Sequence, residues 1–446
     1  MTTNAKFRFD LFESNIAAVL QDCSYINLPF ELPGVNDEVN DLLTNCGKLF
    51  FQDTTATSDL LQCETDSKII LDIAWEKMNT GHWKDVDTNW RYVYTLASLF
   101  KVLCLLARSD SNKIDIIKAC DMGLLMGAPL MKNILSRIAS KVSSMTIMEK
   151  NQDFISKAKK WKMSPISEDI SLKNEVKVEK KLSQEDFIKN YMEKSCPVVL
   201  IDGIKNWPAL SSKPWSIEYI LEKARYRTVP IEIGSKYTDD NWTQKLMTIE
   251  DFVEKYITNK SQQKEVGYLA QHNLFDQIPE FFEDIELPSY ITKKDDVDIS
   301  VYFGPDGTIS PLHFDPKYNL LAQVMGEKYI RLYSEDQTEF LYPRHNTWLS
   351  NTSQVDIDNP DSESFPLFSQ ATYQECVLKA GQLLFIPPKY WHYVRSLSNN
   401  QAIQMCCEKG SLLTRESDFI VIAFKKDHWL AKTKGEVGKK EDIIIA

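Results

Sequence analysis

Positive charge is what the sequence is shortest of. Fifty-two Lys and Arg stand against 63 Asp and Glu, a net −11 over 446 residues, so there is no broad basic field to hold duplex DNA by its phosphates. A long apolar run is also missing. The best stretch, Tyr92 to Ala107, is interrupted by Lys101 and too short for a bilayer. The start, MTTNAKFRFDLFESN, has no basic region followed by an apolar core, the pattern of a secretory signal. Nine cysteines include no CxxC pair; an odd, scattered set fits reduced thiols better than a disulfide scaffold or a zinc ribbon. These absences predict a soluble protein of the nucleus, the cytoplasm or both, with no membrane segment, whose contact with chromatin would be with basic protein tails.

What is present is core-forming material: 43% apolar residues and 11% aromatics, enough for two or three domains. Residues 1–150 carry helical periodicity. In NWRYVYTLASLFKVLCLLA, the residues Tyr92, Leu96, Leu99, Leu103 and Leu106 fall along one stripe, and NKIDIIKACDMGLLMGAPLMKNILSRIA repeats the pattern. No fixed-period repeat is visible, so this half reads as an all-helical bundle, with a helical-hairpin array left open. Residues 151–182 are dense in Lys, Ser and acids and read as a charged linker. Ser183 and Asp186 then form a capping-box pattern ahead of a short helix. From there short runs rich in Val, Ile, Phe and Tyr alternate with turn residues: PVVLID, TVPIEIG, EVGYLAQ, DISVYFG, NLLAQVMGEKYIRLY, QLLFIPP and HYVRSL. Many short strands with few helices predict a β-sandwich or jelly-roll barrel over 183–410. The fold class is therefore α+β and multidomain, with a tail at 411–446.

Within SPLHFDPKYN, His313 and Asp315 lie two apart, and in a strand such residues face the same way. Alone, His-x-Asp is usually surface pairing. A second histidine, His392, sits in GQLLFIPPKYWHYV after a buried strand and two prolines, and two imidazoles with one carboxylate make the facial triad of non-heme Fe(II) oxygenases. Gly326-Glu327 reads as a two-residue hairpin loop pairing Met325 with Lys328. That register puts Lys328 on the apolar face with Asn319, Leu321 and Gln323. A lysine there either meets an anion or snorkels out from an edge.

From about 183 to 399 the chain resembles the JmjC-domain Fe(II)/2-oxoglutarate oxygenases, most closely their subfamily associated with arginyl hydroxylation. The stretches DGTISPLHFDPKYNLLAQVMGEKYIRLYS, YLAQHNLFDQIPE and LLFIPPKYWHYVRSL carry the match. The resemblance implies a double-stranded β-helix (cupin) in which His313, Asp315 and His392 hold Fe(II), with no catalytic residue beyond them. It implies that Lys328, Tyr268, Asn319 and Ser310 hold 2-oxoglutarate, and that Glu232, Trp242, Gln271 and Tyr302 meet the substrate. O2 and 2-oxoglutarate would be consumed, succinate and CO2 released, and a hydroxyl delivered to a substrate carbon. Glu232 alone reads as an ordinary strand acid. As a pocket acid beside an aromatic face it would suit a guanidinium, so arginyl hydroxylation of protein segments ranks first, ahead of histone demethylation or tail cleavage.

The resemblance stops near Asn399. Cys406 and Cys407 stand where relatives have tryptophans, and DFIVIAF (418–424) would be either a substitute strand or an exposed apolar segment. Two other readings follow: a catalytically impaired scaffold whose helical half binds an unknown partner, or a cupin holding zinc or manganese structurally.

Overall fold

The computed structural model describes residues 7–52, 55–80, 86–146, 170–234, 236–238, 241–258, 265–291, 297–345, 349–398 and 400–407. The DFIVIAF segment lies outside them. Among the described residues the first part holds the α-helices α1 (Ser14–Val19), α2 (Asp37–Leu49), α3 (Thr57–Asn79), α4 (Asn89–Ala107), α5 (Lys113–Met126) and α6 (Ile134–Thr146). The expected stripe on α4 is wider than its spacing implied. Every residue from Val93 to Phe100 is buried, whereas Tyr92 and Leu106, two ends of the stripe, are only half-buried. The cause is position: α4 is wrapped by α2, α3 and α5, and a helix apolar all round belongs in a core. α5 starts on Asn112, whose side chain accepts the Ile114 N–H at 2.9 Å.

The second part is a two-sheet barrel. Its strands are β1 (Val178–Glu179), β2 (Val198–Leu200), β3 (Thr228–Ile233), β4 (Thr243–Thr248), β5 (Gly267–His272), β6 (Val297–Gly304), β7 (Ile309–Phe314), β8 (Tyr318–Met325), β9 (Glu327–Tyr333), β10 (Gln374–Lys379), β11 (Leu383–Ile386), β12 (Trp391–Ser396) and β13 (Asn400–Cys407). The larger sheet runs β1-β2-β11-β8-β13-β6-β5-β3-β4 and the smaller β10-β9-β12-β7. Leu321 and Leu384 from the larger sheet meet Ile330, Leu332 and Val394 from the smaller one between them. On its other face the larger sheet packs against helical segments through Phe187, Leu221 and Phe252. Burial on both faces explains why β8 is buried without alternation from Asn319 to Val324, its two polar residues Asn319 and Gln323 included.

Two sequence expectations need correction. β8 and β9 are not a hairpin: β8 pairs with β11 and β13, β9 with β10 and β12. The chain changes sheets at Gly326, whose φ of +79° suits a residue without a Cβ. Lys328 still faces inward, because β9 brings its own alternation with Ile330 and Leu332. The stretch from 170 to 182 is not free linker either. Val176 is buried, its N–H donates to the Glu375 carbonyl at 3.0 Å, and β1 pairs in parallel with β2. Composition hid this, since a two-residue strand has too few positions to show a period. β13 is a central strand between β6 and β8 and reaches Cys407. Ser183 does cap the short helix Gln184–Phe187, accepting the Asp186 N–H at 3.1 Å.

Candidate metal centre and adjoining recesses

His313 is the last residue but one of β7 and His392 the second of β12, and antiparallel pairing makes the two direct Cα partners. Their rings lie 4.2 Å apart between centroids. Asp315 follows β7 and puts Oδ2 3.7 Å from His392 Nε2. One donor atom from each residue falls within 4.8 Å of the others, so the three could hold one metal ion. The tautomers agree with that use. His313 Nδ1 meets the Pro311 carbonyl at 2.7 Å and His392 Nδ1 the Tyr390 carbonyl at 3.0 Å; each carbonyl takes an Nδ1–H and leaves Nε2 with its lone pair. Asn319 Nδ2 donates to Asp315 Oδ2 at 2.7 Å and orients the carboxylate. Burial and the neighbouring His313 push the His392 pKa down to about 4, so the His392 ring stays neutral and keeps a lone pair free for a ligand.

Lys328 is 2% exposed. Its Nζ donates to the Tyr268 hydroxyl at 3.1 Å and the Ser396 hydroxyl at 3.4 Å, and sits over the rings of Tyr268 and Tyr302. No carboxylate pairs with it among the described residues, and burial pushes its pKa down to about 7. A buried amine with neutral partners is costly to charge and would be stabilised by an anion placed beside it. Ser310 shares a hydrogen bond with the Tyr268 hydroxyl, so Tyr268, Ser310 and Lys328 do come together. Asn319 is nearer the carboxylate of Asp315 than this group, and its Oδ1 accepts from Cys406 Sγ at 2.8 Å.

Beside the centre lies a recess lined by Glu232, Gly234, Lys236, Tyr237, Trp242, Tyr268, Thr308 and Ile309. Trp242 Nε1 donates to Glu232 Oε2 at 3.3 Å, and burial raises the Glu232 pKa. The expected acid and aromatic thus share one wall. Two other expected substrate contacts are placed differently. Tyr302 packs 6.0 Å from the Tyr268 ring, under Lys328, and belongs to the group around that amine. Gln271 is exposed at a β-bulge, with φ +47°, and does not line the recess; the extra residue turns its side chain away. Sequence reading missed Tyr237. Its ring stands edge-on to His313 at 6.5 Å and its hydroxyl meets Thr352 Oγ1 at 3.3 Å, joining the recess to the triad. The signal available was an aromatic in the short loop between Glu232 and Trp242.

Comparison with known proteins gives two family matches: "Cupin-like domain" over residues 184–407 and "KDM8-like, N-terminal ARM repeats" over 49–156. The second identifies the helical half as a repeat array, which the absence of a fixed period had concealed. Among relatives, "Lysine-specific demethylase 8" of Danio rerio is 47% identical, covering 74% of this chain and 84% of its own length. The protein of the same name in Xenopus tropicalis is 40% identical over 81% and 91%. "Jumonji C domain-containing protein 5" of Drosophila melanogaster is 36% identical over 73% and 82%.

Proposed function

The chain belongs to the JmjC family of cupin-like 2-oxoglutarate-dependent dioxygenases, and from that premise we propose that it oxidises a carbon of a cationic side chain in protein substrates. His313, Asp315 and His392 would hold Fe(II), whose chemistry is to activate O2 at the expense of 2-oxoglutarate. Lys328, with Tyr268 and Ser310, would grip the far carboxylate of 2-oxoglutarate, while Asn319 fixes Asp315. Glu232 and Trp242 would receive the substrate cation, and the walls of the barrel keep water from the reacting carbon.

The relatives' names favour N-methyl-lysine demethylation over the arginyl hydroxylation that sequence reading ranked first, and we adopt that order. Glu232 refines it. A mono- or dimethylammonium still has an N–H for the carboxylate, whereas a trimethylammonium has none, so the lower methylation states are the expected substrates. The same carboxylate keeps arginine as the second reading, since a guanidinium matches it in two places. Histone tails supply both cations, and such substrates would put the activity in the nucleus.

The observation that carries the proposal is the Glu232–Trp242 wall opening beside the triad. Its test is mass spectrometry of methyl-lysine and arginine peptides of histone tails after incubation with Fe(II), 2-oxoglutarate and air. Loss of a methyl group with formaldehyde release supports demethylation, and gain of one oxygen on arginine supports the second reading. Unchanged peptides alongside full 2-oxoglutarate turnover would remove both. Glu232→Gln is expected to raise the substrate KM roughly tenfold or more, the worth of a charge-assisted hydrogen bond, with little change in 2-oxoglutarate affinity. Because burial raises the Glu232 pKa, cation binding should weaken on acidification before an exposed carboxylate would.

Anaerobic Fe(II) and 2-oxoglutarate should give the weak visible band of the chelated metal. His392→Ala should lose that band together with bound iron. A well-folded wild-type protein without the band would instead favour the scaffold reading.

A further inference from the structure

The helical half and the barrel meet at a buried polar cluster that the proposed chemistry does not use. Asp121, on α5, is fully buried and its carboxylate is saturated. Oδ1 accepts from Arg227 Nη2 at 2.7 Å, Arg227 Nε at 3.0 Å and Gln277 Nε2 at 2.8 Å, while Oδ2 accepts from the Thr228 backbone N–H at 2.6 Å. Thr228 is the first residue of β3, the strand that carries Glu232. Gln277 continues the chain of contacts: Nε2 also donates to the Thr228 carbonyl at 2.7 Å, and Oε1 meets His272 Nε2 at 2.7 Å. Its own carbonyl accepts from Ser136 on α6 at 3.0 Å.

His272 is the last residue of β5, the strand that carries Tyr268. Between Leu269 and His272, β5 advances three residues while β6 advances two, from Phe303 to Val301, so one extra residue is inserted. Gln271 absorbs it in a left-handed conformation that side chains rarely adopt. Such a bulge persists where its surroundings hold it, and here the hydrogen bond from His272 to Gln277 ties its end to Asp121. β3 and β5 pair directly at Glu232 and Tyr268, so the same carboxylate from the helical half grips the far ends of both strands that wall the recess.

We infer that Asp121 is a positioning residue for the catalytic barrel: through Arg227, Gln277 and His272 it fixes the β5 bulge, and with it the placement of Tyr268 and Glu232. The ARM-type helical half is then a working part of the oxygenase. The inference rests on the proposed use of Tyr268 in holding 2-oxoglutarate.

The test uses the full chain with Mn(II) in place of Fe(II). Calorimetry reads 2-oxoglutarate binding, and hydrogen exchange reads the amides of residues 268–272. Asp121→Asn keeps the shape but removes the charge; it should speed exchange in that segment and weaken 2-oxoglutarate binding roughly tenfold. Leu43→Ala, a cavity in the helical core on α2, is the control for simple destabilisation and should leave both readings at wild-type values. If Asp121→Asn folds and matches wild type, or if Leu43→Ala shifts both readings equally, the inference is overturned. Should Asp121→Asn fail to fold, His272→Phe decides: it cuts the tie to the bulge and spares the Asp121–Arg227 pair, and wild-type affinity there would equally overturn it. Failure of the wild-type protein to bind 2-oxoglutarate would sink the functional reading instead, while the exchange comparison still decides this one.

Discussion

A chain ended at Ser398 is expected to lose its barrel, whatever becomes of the helical half. β13 is paired along both sides, from Asn400 with Gly304 to Cys407 with Val297 on β6, and from Gln401 with Met325 to Cys407 with Tyr318 on β8. Its removal would leave two interior edges facing each other with unmade N–H and C=O groups, and open the core between the sheets. A domain's whole stability is on the order of 5–15 kcal/mol, so a central strand is not dispensable. The strands set adrift also matter chemically: β8 carries Asn319, the orienting partner of Asp315, and β6 carries Tyr302. The measurement is thermal unfolding followed by near-ultraviolet circular dichroism. The shortened chain should show no cooperative transition for the barrel and should bind apolar dyes, whereas a chain ended at Glu408, which keeps every described strand, should retain the transition. A cooperative barrel transition in the chain ended at Ser398 would show that β13 is an accessory strand. At the strand's end Cys406 Sγ reaches Asn319 Oδ1, so β13 also touches the residue that orients Asp315.

How far the sequence alone could be read depends on the length scale of each signal. Strands such as β3, β6, β11 and β12 were visible because their runs are apolar and bounded by turn residues. β10, with Gln374, Glu375 and Lys379 among its six residues, was not: the buried Glu375 is satisfied by Tyr329 and the Lys173 N–H, partners that only the fold supplies. The triad was legible because His313 and Asp315 obey the strand period and His392 follows a distinctive Pro-Pro turn. What joined them, the direct pairing of β7 with β12, was not in the sequence. Lys328 was read inward from a hairpin that does not exist, and the inference survived because β9 has the same alternation in either arrangement. Gln271 and Tyr302 were misplaced for opposite reasons. A one-residue bulge turned the first outward, and the second faces the barrel interior that the substrate wall does not share. Asp121 gave no signal at all, since nothing local marks an acid whose partners lie 106 to 156 residues away.

Replacing Lys328 with Met should weaken 2-oxoglutarate binding roughly a hundredfold or more, leave metal binding intact and make the ligand-free protein more stable. The three effects have one origin. In the free protein the amine is buried against Tyr268 and Ser396 with no carboxylate, which is why burial holds its pKa near 7 against an ordinary 10.5. Taking it away removes an uncompensated group, and swaps of buried charge for an apolar side chain of similar volume stabilise by about 1–4 kcal/mol in favourable cases. In the complex the far carboxylate of 2-oxoglutarate would lose a charge-assisted hydrogen bond worth about 1.5–3 kcal/mol and stay buried without a cation, which adds to the loss. The sign of the pH dependence follows. Between about pH 7 and 10.5 the unfolded chain binds a proton at this lysine that the folded, ligand-free chain does not, so its contribution to stability rises with pH across that window and is least favourable below 7. Ligand binding favours the charged amine, so above pH 7 the complex must take up a proton and affinity must fall as pH rises. Calorimetry in buffers of different ionisation enthalpy reads that uptake directly: wild type should show it at pH 8 and Lys328→Met should not. Equal heats in all buffers for the wild type would mean that the amine is already charged before the ligand arrives, and loss of metal from Lys328→Met would assign the residue to the triad instead of the cosubstrate.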